Sequence, residues 1–229
     1  MRRAYRAARG SELWNQKNER KFIAVSTRSG GTTGNPTMKQ RAREAASTAL
    51  LEAAEHVAAE RGIDQTSIAA IAERAQVAVG TLYNYFPDRE SLLAALFKWR
   101  RDEMLPRLMA AAASASEDGP FEARLRTYLL QVARSFDTFR RFCRVAMSAD
   151  QSATPIKGRH QNGKSVVLET FLSSLTGIMR PVYGDKSEEY ARMMFGSFKM
   201  MMQFQLERDQ PIENAVEPIV VTFLQGMAR

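Results

Sequence analysis

The stretch of sequence that decides the fold is residues 66–87, TSIAAIAERAQVAVGTLYNYFP. Apolar residues recur at helical spacing in its first half, and either Thr66 or Ser67 can cap the exposed amides where that helix begins. Residues 76–78 make a tight connection to a second short helix at about residues 79–85, which the closing Phe-Pro ends. The stretch therefore predicts two short helices joined by a turn.

Helical patterns continue on both sides of this stretch, and no segment shows the alternation of a strand. A first helix is predicted from Lys39 to Arg61, with Gly62 as its C-cap. A fourth helix is predicted to run toward Met104, with a kink at Pro106. The later helical patterns lie at residues 121–147, 162–181, 187–208 and 212–227. We therefore expect an all-α protein in which a three-helix helix-turn-helix domain precedes a helical bundle.

The composition is that of a globular protein, with 229 residues of which 45% are hydrophobic, and the formal net charge is +8. That charge favours a polyanionic partner, either nucleic acid or an anionic membrane surface. The single cysteine, Cys143, has no partner for an internal disulfide and is expected to be a packed, inert thiol. No apolar run approaches the roughly 20 residues needed to cross a bilayer. A soluble, cytoplasmic protein without a membrane partner is expected.

The first 37 residues are basic and end in a glycine-rich stretch without apolar periodicity. This composition predicts a disordered basic tail over residues 1–37. The tail is either a solvated segment or an arm that reaches into a DNA groove. Alternatively, synthesis begins naturally at Met38, and the tail is not made.

The second short helix carries small and hydroxyl side chains on the face that would point outward. Such a helix fits the major groove of B-DNA, where small residues such as Gly80 and Thr81 allow close approach and the amide of Asn84 matches an adenine edge. The candidate DNA contacts in and beside this helix are Ala78, Val79, Gly80, Thr81, Tyr83, Asn84 and Tyr85. The candidate phosphate contacts elsewhere are Thr66, Ser67, Arg89, Lys39 and Arg43, and a solvated side chain is the alternative for the last two.

These residues resemble the N-terminal domain of TetR-type (tetracycline-repressor-like) regulators. The resemblance covers about residues 42–97 without a gap and includes LLEAA at 50–54, AERG at 59–62 and the GTLYNYF core at 80–86. It implies a helix-turn-helix at residues 67–86 within a DNA-binding domain at 38–86, followed by an effector-binding and dimerisation domain at 87–229. An ordinary helical subdomain with no DNA role is the alternative interpretation.

The chain departs from the family pattern in the turn. The family's usual glycine and serine are replaced by Gln76 and Ala78, so the turn geometry and one phosphate contact are expected to differ. The usual basic residue early in the second helix is Ala69, the usual first-helix phenylalanine is Ala58, and the lysine that opens the fourth helix is replaced by Arg89.

For the body, the resemblance implies a homodimer through the helices at about 164–181 and 187–208 and a palindromic operator in double-stranded DNA. It also implies an unknown small-molecule effector, for which apolar chemistry is expected and whose binding shifts the fourth helix and releases DNA. A methionine- and phenylalanine-rich segment at residues 193–204 belongs either to the pocket or to the core or dimer interface. The candidate ligand contacts are Trp99, Met104, Phe136, Phe139, Phe198 and Met202.

The sequence gives less support to three other functions. The only histidines, His56 and His160, lack metal-ligand spacing, and no phosphate loop or nucleophile motif is present, so no enzyme, cofactor or metal site is predicted. A membrane-surface protein would need a basic amphipathic helix near the start, against which the glycine-rich spacing argues. The nearest alternative is an architectural DNA-binding protein that does not distinguish sequences. The sequence favours a specific transcriptional regulator, most often a repressor in this family.

Overall fold

The computed structural model describes residues 37–115, 119–152 and 165–227. The chain divides into two units, residues 1–44 and residues 45–229. Residues 1–36 of the predicted basic tail lie outside the described residues, and so does His160. The predicted functional boundaries at residues 37 and 86 stay predictions.

The described residues form helices and turns and contain no strand, which confirms the predicted all-α class. Short 3₁₀ turns lie at Gly184–Lys186 and Ile212–Ala215. The helices are α1 (Met38–Arg61), α2 (Ile68–Arg74), α3 (Val79–Tyr83), α4 (Arg89–Ser114), α5 (Phe121–Thr138), α6 (Arg140–Gln151), α7 (Val166–Tyr183), α8 (Ser187–Glu207) and α9 (Val216–Met227).

In the first unit, the described residues contain the beginning of α1. The hydroxyl of Thr37 accepts a hydrogen bond from the backbone N–H of Gln40 at 3.3 Å, and the Gln40 side chain accepts one from the N–H of Thr37 at 2.8 Å. This reciprocal pair is a capping box, which satisfies two amides that a helix start leaves without partners. The sequence-based interpretation did not include this cap.

In the second unit, the end of α1 and helices α2 and α3 enclose a small apolar core. Its most enclosed side chains are Val57, Ile71 and Leu82, and Phe86 lies just beyond α3. Gly62 follows α1 in the left-handed region (φ 82°), and its N–H bonds to the carbonyl of Ala58 at 3.0 Å. The predicted C-cap is therefore confirmed, since glycine adopts this conformation without the steric cost that a side chain brings.

The predicted single helix at residues 121–147 is wrong, because the chain forms α5 and α6 with a break at Phe139. Phe139 leaves the helical region (φ −107°, ψ 26°), although no glycine or proline stands there. The carboxylate of Asp137 accepts from the backbone N–H of Ile212 at 2.8 Å and from Arg140 at 2.9 Å. These bonds hold the break in place, and the first of them comes from a distant part of the chain.

Other helix ends also differ from expectation. Helix α4 continues past Pro106 to Ser114. The carbonyl of Asp102 loses its helical partner there, and both residues lie on an exposed face where water can bind it. Helix α3 ends at Tyr83 instead of Tyr85, and the predicted helix at 212–227 begins with a 3₁₀ turn.

Candidate nucleic-acid interface and ligand cavity

Helix α3 is anchored along one edge and exposed along the rest. Leu82 is fully buried, while the side chains of Val79 and Tyr83 are 43% and 51% exposed. The exposed set of predicted DNA contacts is Ala78, Val79, Gly80, Thr81, Tyr83 and Asn84, whereas Tyr85 is half-buried. The structure therefore brings six of the predicted residues to one solvent-facing surface, which we call the α3 surface.

Gly80 lies in the middle of the α3 surface, and the fold does not require a glycine there. A Cβ built on Gly80 would meet no atom within 4 Å. Gly80 does not have the positive φ that requires glycine, and glycine inside a helix costs roughly 0.5–1 kcal/mol relative to alanine. A residue that weakens its own helix and fills no tight space within the chain points to a partner that approaches the backbone.

The turn between α2 and α3 keeps a left-handed residue without glycine. Gln76 has φ 55°, its N–H bonds to the carbonyl of Glu73 at 3.1 Å, and the N–H of Val77 bonds to the carbonyl of Ala72 at 3.0 Å. These two bonds are those of a Schellman motif, which normally places glycine at this position. Ala78 stands at the N-cap of α3 and supplies no side-chain cap, as the missing hydroxyl predicts.

The start of α2 separates the two hydroxyl residues that the sequence left open. Ser67 is the N-cap and accepts from the N–H of Ala70 at 3.1 Å. Thr66 is buried, and its hydroxyl donates to the carbonyl of Gly62 at 2.9 Å. The hydroxyl of Thr66 therefore faces the protein, whereas Ser67 is exposed. The phosphate contacts of both residues stay predictions.

Arg89 is a half-buried side chain at the start of α4. Its guanidinium donates to the backbone carbonyls of Ile63 and Thr66 and so joins α4 to the loop before α2. These bonds assign the side chain a structural role that sequence reasoning did not include. A phosphate contact through its remaining N–H groups stays a prediction.

The two candidate phosphate contacts of α1, Lys39 and Arg43, belong to the first unit. Both are exposed in the described part of that unit. Their contact with DNA stays a prediction.

A cavity of about 250 Å³ lies in the body within the second unit, and its walls come from α4, α5, α6, α7 and α8. Four of the predicted ligand contacts line it, namely Met104, Phe136, Phe198 and Met202. Trp99 and Phe139 do not line it: Arg100 stacks over the Trp99 ring at 3.8 Å from the ring centre, and Phe139 is packed in the core. Sequence reasoning missed Arg101, which lies one helical turn after Phe97 on α4 and also lines the cavity.

Polar groups occupy part of this largely apolar wall. The Lys199 ammonium and the Asp150 carboxylate form a half-exposed ion pair at 2.9 Å. The side chain of Arg101 is 19% exposed, and its Nε lies 3.3 Å from Asp102. Cys143 also lines the cavity, and its burial raises the pKa of the thiol to about 12, so the thiol stays protonated and unreactive at neutral pH.

Helix α6 contacts both the cavity and the loop between α1 and α2. Phe142 and Met147 lie on the cavity wall. Elsewhere on the same helix, the hydroxyl of Ser148 accepts from the backbone N–H of Ile63 at 3.0 Å. Helix α6 therefore links the cavity wall to the loop between α1 and α2.

A buried ion pair adds a second link between α1 and the body. The carboxylate of Glu55, only 3% exposed, accepts from Nε of Arg100 on α4 at 2.5 Å. Arg141 on α6 lies 4.0 Å from its other oxygen. The pair compensates a carboxylate that would otherwise be too costly to bury.

The outer face of α8 is apolar or small and exposed. Met193, Ser197, Met200 and Phe204 follow one another at intervals of three or four residues, and Gly196 lies beside them. A Cβ on Gly196 or on the exposed Gly177 of α7 would meet no atom within 4 Å. The methionine-rich segment therefore divides, with Phe198 and Met202 on the cavity wall and this α8 stripe facing outward.

Among the described residues, no three His, Cys, Asp or Glu side chains are grouped to hold a metal ion. None of the helices in the described ranges combines the length and apolarity needed to cross a membrane.

Residues 50–96, which contain α2, α3 and the exposed face built on them, match the sequence model described as bacterial regulatory proteins, tetR family. Residues 50–96 are therefore similar to the N-terminal part of tetR-family regulators.

Two of the curated relatives match a short part of the chain. It is 39% identical over 59 residues to the fatty acid metabolism regulator protein of Bacillus subtilis, covering 26% of this chain and 30% of that protein. It is 37% identical over 70 residues to the HTH-type transcriptional repressor KstR of Rhodococcus jostii, covering 31% of this chain and 33% of that protein. The matches thus span about a third of these relatives.

Solved structures resemble the chain over most of its length. The fatty acid degradation regulator FadR of Bacillus halodurans has a TM-score of 0.63 at 21% identity, covering 79% of this chain and 95% of that one. FadR of Bacillus subtilis in complex with stearoyl-CoA has a TM-score of 0.62 at 20% identity, covering 78% and 98%. At this identity the similarity shows the fold alone.

Proposed function

We propose that this protein is a TetR-family, sequence-specific DNA-binding transcriptional regulator, not an enzyme, and that it acts as a repressor. The observation that carries the proposal is the α3 surface, in which Gly80 is exposed at the centre and Leu82 is the buried side chain of the helix. Because the proposed partner is chromosomal DNA, we also propose that the protein acts in the cytoplasm.

Base recognition is assigned to the exposed polar groups of the α3 surface. The amide of Asn84 pairs with an adenine edge, and the hydroxyl of Thr81 contacts a neighbouring base. Gly80 lets the helix backbone approach the groove, and the exposed phenol of Tyr83 and hydroxyl of Ser67 bind phosphates. The α3 surface thereby combines sequence discrimination with positioning.

The cavity is proposed as the effector site. Its aromatic and methionine walls suit an apolar ligand, because such side chains offer large, adaptable contact surfaces. The fold is shared with a FadR protein whose structure holds stearoyl-CoA, which supports a ligand with a hydrocarbon chain.

Two helices are placed to transmit ligand binding. Helix α4 carries Arg89 at the loop before α2 and Met104 on the cavity wall, and α6 carries Ser148 and Phe142 in the equivalent roles. A ligand that separates these walls shifts both helices and the loop at residues 62–66. Coupling then requires that ligand and DNA favour different positions of α4 and α6, so each weakens the binding of the other.

A homodimer through α7 and α8 completes the proposal. The α8 stripe and Gly177 present small and apolar groups on an exposed face, which lets two helix pairs pack closely as a four-helix bundle. Two-fold symmetry would place two α3 helices on a palindromic operator. Gly196→Arg should give a monomer in sedimentation velocity, whereas Gly226→Arg, at an equally open glycine of α9, should leave the dimer intact.

The direct test is selection of genomic fragments, including the region upstream of the protein's own gene, at physiological salt with competitor DNA. A specific regulator should bind one or more fragments about 10³-fold more tightly than competitor, and Asn84→Ala or Thr81→Ala should lose most of that preference. Equal, weak binding to all fragments would contradict the proposal and favour an architectural DNA-binding protein.

A further inference from the structure

The charge distribution of the cavity is uneven. The charged side chains among its described lining residues are Arg101, Asp150 and Lys199. Asp150 and Lys199 neutralise each other at 2.9 Å, and both are more than 40% exposed. Arg101 is the remaining charge, and it is the most enclosed of the three at 19% exposure. The cavity wall therefore carries a net positive charge at Arg101.

In the part of the chain that the structure describes, the ion-pair partner of Arg101 lies outside the cavity lining. Among the described residues, the carboxylate paired with Arg101 is Asp102, at 3.3 Å from Nε, and it does not line the cavity. Asp102 is about half exposed and is bound more closely by Lys98, at 2.6 Å. The guanidinium of Arg101 thus shares a solvated carboxylate with a second cation.

A ligand that fills the cavity excludes water from its wall. A neutral ligand would leave the Arg101 guanidinium without solvent on that side, which is unfavourable for a charged group. A ligand with an anionic group would instead form charge-assisted hydrogen bonds with the guanidinium, whose planar donors match a carboxylate or a phosphate. Phe136, Phe198 and Met202 supply an apolar wall for the rest of such a molecule.

We propose that the ligand is an amphipathic anion whose carboxylate or phosphate group pairs with Arg101 while its hydrocarbon chain lies against Phe136, Phe198 and Met202. This inference rests on the proposed role of the cavity as the effector site. Arg101 is the residue that selects the head group, and the aromatic wall accepts the chain.

The test compares ligands that share one chain and differ in head group. Dodecanoate, dodecyl phosphate, dodecanol and dodecyltrimethylammonium are titrated into the full-length protein below their micellar concentrations, with displacement of a neutral fluorophore as the readout. At least one of the two anions should bind about 10-fold or more tightly than dodecanol, and the cation should bind most weakly. The tighter anion identifies the head group as a carboxylate or a phosphate.

Variants assign the preference to Arg101. Arg101→Gln should reduce the preference for the anion over dodecanol to about 3-fold or less without weakening dodecanol, and Arg101→Lys should keep part of it. Arg107→Gln, on an exposed part of the same helix, should behave like the wild type. Equal binding of anion and alcohol, tighter binding of the cation, an equal loss of both ligands in Arg101→Gln, or no binding of any probe would each overturn the proposal.

Release of DNA from a selected fragment is measured separately with the same ligands. An anion that binds through Arg101 without releasing DNA supports the binding proposal and contradicts the effector role. Release by dodecanol, with no preference for the anion, contradicts the head-group proposal and leaves the effector role standing.

Discussion

The backbone N–H of Ile63, just after α1, donates a hydrogen bond to Oγ of Ser148 on α6 across 3.0 Å. Ile63 is almost fully buried, so this amide has no route to bulk water. The bond joins the loop between α1 and α2 to α6, which also forms part of the cavity wall. A single hydroxyl thus contributes both to stability and to the proposed path of coupling.

Ser148→Ala should lower the free energy of unfolding by about 1–3 kcal/mol, because it leaves a buried N–H without its acceptor. Urea unfolding of the purified protein checks this. Ser135→Ala is the matched control, since that hydroxyl only bonds to the Gln131 carbonyl of its own helix. Equal stability of the two variants would mean that the Ile63 bond is absent in solution.

Gln76→Gly should raise the free energy of unfolding by about 0.5–1 kcal/mol. The left-handed region costs a residue with a side chain roughly 1–2 kcal/mol, and the greater freedom of glycine in the unfolded chain offsets part of the gain. Gln76→Ala keeps the strain at φ 55° and should give no such gain. Thermal unfolding of the wild type and the two variants compares their stabilities. An alanine variant as stable as the glycine variant would show that Gln76 is not strained.

Arg100→Met should destabilise the protein by about 3–5 kcal/mol, because it leaves the buried Glu55 carboxylate without its close partner. The double variant Glu55→Met with Arg100→Met should recover much of this loss, since no charge is then buried. Arg134→Met removes an exposed pair with Glu213 and should cost at most about 1 kcal/mol. Chemical denaturation measures all three, and a small effect at Arg100 would show that the Glu55 carboxylate does not depend on this pair in solution.

The imidazole of His56 should make stability depend on pH below neutrality. Burial and then the charges of Arg141 and Arg74 lower its pKa below the ordinary value of 6.5, with smaller opposing effects from Glu60 and Glu55. The unfolded chain therefore binds the proton more readily, so the contribution is fully present above pH 6.5 and is lost as the pH falls toward the lower folded value. Protonation also removes the acceptor that Arg74 uses at 2.9 Å.

The check is urea unfolding at several pH values for the wild type and for His56→Gln. The stability difference between them should shift in favour of the variant as the pH falls below 6.5. Parallel curves would show that the His56 pKa is not lowered in the folded protein.

The sequence located the helix-turn-helix because its signals are local. Helical spacing, a hydroxyl before α2 and a proline after α3 act within a few residues of one another. The sequence did not show which of the adjacent residues Thr66 and Ser67 caps α2, since both offer a hydroxyl group. Only the folded chain shows that Thr66 is buried. The break at Phe139 was missed because Asp137 and Ile212, which hold it, lie far apart in sequence.

The lining of the cavity was only partly predictable from the sequence, because helices that are far apart in the chain form it. Met104, Phe136 and Phe198 were chosen as large apolar residues, but composition cannot tell which side of a helix faces a space enclosed by five helices. Trp99 has the same chemistry and packs elsewhere. The spacing of Phe97, Arg101 and Met104 on α4 is the signal that would have included the arginine.

The measurement that tests the central claim most directly is the affinity of wild type and Gly80→Ala for a selected fragment and for competitor DNA, with unfolding of both proteins alongside. Because the space around Gly80 is open, Gly80→Ala should be as stable as the wild type or up to about 1 kcal/mol more stable. Its preference for the selected fragment should nevertheless fall by about 10-fold or more, because the added methyl group lies between α3 and the base edges. An unchanged preference in a stable Gly80→Ala protein would contradict the assignment of the α3 surface as the site that recognises DNA sequence.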